Sequence, residues 1–89
     1  MTQTSKMLGI GEIRREFSVG RDLATKLAEL LPHLTVGRVG VGAKRLVQRA
    51  DLERVMARAT ADRMDLWELV RREDARDLLA SWLVSGEQN

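Results

Sequence analysis

Apolar residues recur along this chain with two different periods, and the change of period divides it. Ile10, Ile13 and Phe17 stand at i, i+3 and i+7, which predicts a short helix over residues 11–17. Leu23, Leu27, Leu30 and Leu31 follow at i, i+4, i+7 and i+8, the stripe of a second helix within 18–31. Ser18, Val19 and Gly20 separate the two, and Ser18 is the candidate N-cap of the second. Pro32 ends that helix, because the residue before a proline is pushed out of the helical region. Two short helices joined by a three- or four-residue turn containing Gly carry the signature of a helix-turn-helix, here sharing Ile13, Phe17, Val19, Leu23 and Leu27.

From Leu34 to Val47 the sequence LTVGRVGVGAKRLV turns to β-branched residues and glycine. It predicts strands at about 35–39 and 44–47, joined by a tight loop of Gly40, Val41, Gly42 and Ala43. Helical spacing then returns in Leu52, Val55, Met56 and Ala59, with Asp51 as the expected N-cap and the helix running at least to Arg58. Leu66, Trp67 and Val70 continue that phase, but Arg63 interrupts it. Either one helix reaches about Arg72 or a new one starts at Asp62.

Ala75, Leu78, Leu79, Trp82 and Leu83 form a further stripe, rotated about half a turn from the preceding group at 3.6 residues per turn. One straight helix cannot bury both stripes. A break is therefore expected near residues 72–74, with Asp74 capping a last helix that ends before Gly86. The fold class is mainly α with a small β-hairpin: a winged helix-turn-helix over 8–59 and a helical extension over 60–85. Residues 1–7 are expected to be flexible and 86–89 disordered. Trp67 and Trp82 either complete the small core or mark an interface. The rotated phase makes Trp82, with Leu78 and Leu79, the candidate protein-facing group.

Eighty-nine residues suffice for one domain with a modest core. There is no Cys to supply a disulfide or a thiolate metal site. No apolar run approaches membrane-spanning length and no signal-peptide core opens the chain, so a cytoplasmic protein with no membrane partner is expected. Net charge is +2 but uneven. Residues 1–49 hold nine Lys/Arg against four Asp/Glu, and residues 50–89 hold six against nine. That asymmetry places a basic face on the first half.

Arg21 and Lys26 lie in the first two turns of the second helix, where the dipole prefers carboxylates, and so suggest an anionic partner such as a phosphate backbone. Arg21, Asp22, Thr25 and Lys26 are the candidate recognition residues. Arg14, Arg15 and Ser18 are candidate backbone contacts, and Arg38, Lys44 and Arg45 belong to the hairpin, read as a wing. A phosphate-binding loop is excluded, because Ala43 separates Gly42 from Lys44 and Arg45 follows where Ser or Thr is needed. A dinucleotide fingerprint fails as well, with Arg45 in place of its third glycine.

Catalysis finds little support. There is no Tyr, no Cys and a single His, His33; Glu73, Asp74 and Asp77 read as surface or capping groups. No catalytic residue, metal or cofactor is expected.

Residues 8–59 resemble the winged-helix DNA-binding domain of phage excisionases, within the MerR-like helix-turn-helix group. The likeness rests on EIRREFSVGRDLATKL, then Arg38, Val39 and Gly40 opening the hairpin, then RLVQRADLE with Asp51, Leu52 and Glu53 leading into the next helix. It covers a little under two thirds of the chain. It implies a recombination directionality factor without catalysis of its own. Such a protein binds attachment-site DNA in a bacterial host, bends it, self-associates on it, and directs a phage integrase (a tyrosine recombinase) towards excision of the viral genome. It also implies that Arg21, Asp22, Thr25 and Lys26 form the recognition helix, and Arg38 with 41–45 the wing. Related domains serve as small phage or plasmid transcriptional regulators, which is the alternative reading.

Overall fold

The computed structural model describes residues 6–37 and 42–85. Among them are five helices and three short strands: β1 (Met7–Leu8), α1 (Ile10–Phe17), α2 (Arg21–Leu30), β2 (His33–Val36), β3 (Lys44–Gln48), α3 (Arg49–Ala61), α4 (Leu66–Arg71) and α5 (Ala75–Ser85). The strands form one antiparallel sheet in the order β1-β3-β2. The arrangement is consistent with a helix-turn-helix followed by a hairpin. No helix among the described residues is long and apolar enough to cross a membrane.

The sheet places β3 at its centre, with Leu8 opposite Val47 on one side and Leu34 opposite Leu46 on the other. Directly opposed residues share a face. Leu8 and Val47 are both fully buried, so that face closes the core. β1 is a correction to the expectation of a flexible segment through residue 7. Met7 pairs with Gln48, and the Lys6 carbonyl accepts from the Arg49 amide at 2.8 Å. Residues 1–5 and 86–89 lie outside the described residues.

That Lys6–Arg49 bond also explains how α3 begins. Gln48, its N-cap, makes no side-chain cap bond. An amide of the first turn is instead satisfied by the carbonyl preceding β1. Asp51 is consequently inside the helix rather than its cap. It is buried in the first turn, where the dipole favours an acid, with Arg54 3.7 Å away.

Ser18 is likewise not the N-cap of α2. It ends α1 in a left-handed conformation (φ 57°), and Gly20 precedes α2 without a side-chain bond. The turn is thus Ser18, Val19 and Gly20, and α2 stops at Leu30, ahead of Pro32.

α3 ends in a Schellman motif. Met64 N–H donates to the Ala59 carbonyl and Arg63 N–H to that of Thr60, with Arg63 at φ 55°. The residue that breaks the apolar stripe therefore also turns the chain. α4 starts three residues later, after Asp65, whose carboxylate accepts from the amides of Trp67 and Glu68 at 2.8 and 3.4 Å. Asp62 closes α3 and does not begin a helix. Before α5, Asp74 engages Arg72 through its carboxylate while its carbonyl accepts from Leu78 N–H.

These turns fold α4 and α5 back onto the first half, and a single core results. Leu69, Val70, Leu79 and Trp82 join Leu8, Ile13, Leu27, Val47, Leu52 and Val55 in one buried cluster. Trp82 is 5% exposed and Leu79 fully buried, with Leu78 partly buried against them. The expectation of a partner-facing Trp82 is overturned: the half-turn rotation holds for a straight axis, and the axis bends. Trp67, 39% exposed, is the tryptophan on the surface, with the Arg71 guanidinium 5.6 Å from its ring centroid.

Candidate nucleic-acid interface

α2 buries Leu23, Ala24, Leu27 and Ala28 and turns its other face outward. Arg21, Asp22 and Lys26 are exposed on that face and Thr25 is half-buried. The Thr25 hydroxyl donates to the Arg21 carbonyl at 2.9 Å, a back-bond that spends its proton on the helix.

α1 carries Arg14 and Arg15, both exposed, in its last turn, where the dipole accommodates cations. Glu12 stands in its first turn and accepts from the Gly9 amide at 3.0 Å, satisfying an otherwise open donor. Ser18 is exposed in the turn.

Lys44 and Arg45 open β3 and are exposed; Arg38 lies outside the described residues. Arg15, Lys44 and Arg45 are brought together. With Gly11 and Glu12 they line an open cavity of about 480 Å³ between α1 and the start of β3. Arg14 and the α2 residues are not part of its lining. Sequence reasoning assigned no role to Gly11 or Glu12; the Gly9-x-x-Glu12 spacing ahead of the apolar stripe was the available signal, a capping glutamate at the third helical position.

The cations divide by environment. Three in the second half are engaged: Arg54 with Asp51, Arg58 with Asp62 at 2.9 Å, and Arg72 with Asp74 at 2.8 Å. Arg49 is held by Glu53 and Glu16, and Glu16 also receives Lys6. These contacts raise the Arg49 pKa, first through the hydrogen bond to Glu53. By contrast, Arg14, Arg15, Arg21, Lys26, Lys44 and Arg45 form no ion pair with a described residue. Their charges are available to an outside anion. Arg63, Arg71 and Arg76, in the second half, likewise form no ion pair with a described residue.

Compared with protein-family models, curated proteins and solved structures, the chain matches none. Among the described residues no group of three or more His, Cys, Asp or Glu side chains is placed to hold a metal ion. His33 is engaged with its own chain, Nδ1 lying 2.9 Å from the Leu31 carbonyl oxygen.

Proposed function

We propose that this protein binds duplex DNA in a sequence-specific way as a winged helix-turn-helix accessory factor of the excisionase kind. One observation carries the reading: six exposed cations on α1, α2 and the start of β3 have no ionic partner among the described residues, while Arg49, Arg54, Arg58 and Arg72 do. In this reading the exposed start of α2 enters the major groove, where Arg21 meets a guanine edge and Thr25 a thymine methyl. The hairpin, with Lys44 and Arg45, contacts the neighbouring backbone or minor groove. The chain has no chemistry of its own to perform; it bends attachment-site DNA and places an integrase for excision.

Two measurements test this. The protein should select a preferred duplex from a random pool and bind it with an affinity that falls steeply with salt. It should also stimulate excision by the integrase with which it is encoded. Binding at a promoter without any stimulation of excision would favour the regulator reading; absence of duplex binding at low salt would end both.

A further inference from the structure

Arg15 comes from the last turn of α1, and Lys44 and Arg45 come from the strand opening β3, yet all three line the same open cavity of about 480 Å³. None forms an ion pair with a described residue. Among the described residues of the lining, the only ionisable side chain of opposite sign is Glu12, and its carboxylate is already turned to the Gly9 amide at 3.0 Å. Part of the lining is bare backbone: a Cβ built on Gly11 would meet no atom within 4 Å. Cations that line one cavity without an ionic partner favour an anion entering it.

We propose that this cavity is a clamp for a single phosphodiester of the DNA backbone, held jointly by Arg15, Lys44 and Arg45. The inference rests on the DNA-binding reading and adds a division of labour to it. A phosphate contact carries no base information, so the clamp sets the position of the protein on the duplex while the α2 residues read sequence.

The test uses Gly11→Glu, with Gly11→Gln as the neutral control for bulk. The open space at Gly11 accepts a side chain, and an acid in the first turn of a helix is favourable, so the variant should melt no lower than the wild-type protein. Titrations use two duplexes, one selected by the protein from a random pool and one scrambled.

Gly11→Glu should weaken both duplexes by the same factor, roughly tenfold or more, and lower the slope of log affinity against log salt by about 0.9. Gly11→Gln should weaken them less. Wild-type affinity for Gly11→Glu would overturn the clamp and leave DNA binding standing. So would a loss confined to the selected duplex, because the cavity would then be reading bases. If the wild-type protein bound neither duplex at low salt, the DNA-binding reading would fall and the clamp with it.

Discussion

The Arg58 guanidinium lies 5.5 Å from the centroid of the Trp82 ring, joining α3 to α5. Arg58 also holds Asp62 at the end of its own helix, so one side chain covers the indole and steadies the turn that follows α3. Trp82 is thereby a core residue with a charged lid.

Trp82→Ala should cost about 3–5 kcal/mol, the usual loss for deleting a buried aromatic. For a domain this small that is a large part of the total stability. Arg58→Ala should cost about 1 kcal/mol, since the ring contact and the Asp62 pair are both partly solvated. Thermal melts followed by circular dichroism will rank the two. A chain truncated after Arg72, lacking Leu79 and Trp82, should show no cooperative transition at all.

Ser18 and Arg63 are the two non-glycine residues with left-handed backbone among those described. Each ends a helix, and each bears strain that glycine does not feel. Ser18→Gly and Arg63→Gly should each stabilise by about 0.5–1 kcal/mol, the left-handed penalty less the entropy glycine loses on folding. Denaturant titration with unchanged m-value would verify it, and a fall in midpoint would contradict it.

Arg72 grips the Asp74 carboxylate with Nε at 2.8 Å and Nη2 at 3.0 Å, and these hydrogen bonds hold the acid below its ordinary pKa. A depressed folded-state pKa means that the unfolded chain takes up the proton first. The contribution of Asp74 is therefore full above the ordinary carboxylate range and is lost as pH falls through the lowered value. Carboxyl NMR titration should find Asp74 low and return it to the ordinary range in Arg72→Ala. The effect should shrink in high salt, because the pair is exposed.

Arg21→Ala should reduce affinity for the selected duplex by about 1–3 kcal/mol and relax preference at one base pair. Binding to a scrambled duplex should change far less. A mobility-shift titration of both duplexes decides this, and equal losses on the two would reassign Arg21 to the backbone.

Much of this architecture could be read from spacing alone, because local periodicity reports local structure. Ile10, Ile13 and Phe17 marked α1, Leu23 and Leu27 marked α2, and Pro32 marked its end. The hairpin strands fell within a few residues of their observed bounds. What spacing missed was settled at long range. β1 is two residues long, with no period to detect, and is made a strand only by Val47 and Gln48 some forty residues away. The same pairing lets Lys6 cap α3, which moved the helix start ahead of Asp51. Trp82 was misplaced for a related reason: phase along a helix predicts a face only while the axis runs straight, and Arg63 and the Arg72–Asp74 turn redirect it. For the interface, the sequence named the cations, but only the structure showed that Arg15 shares a cavity with Lys44 and Arg45.

Synthesis begins at the N-terminus, and the pairing of β1 with β3 therefore imposes an order on assembly. Leu8 leaves the ribosome long before Val47, and α2 emerges before α4 and α5, against which it packs. Until Leu79 and Trp82 have followed, the helix pair has an apolar face with nothing to bury it. A nascent chain halted within the hairpin would thus expose that face to chaperones. The helix pair comes first in the message and is covered last.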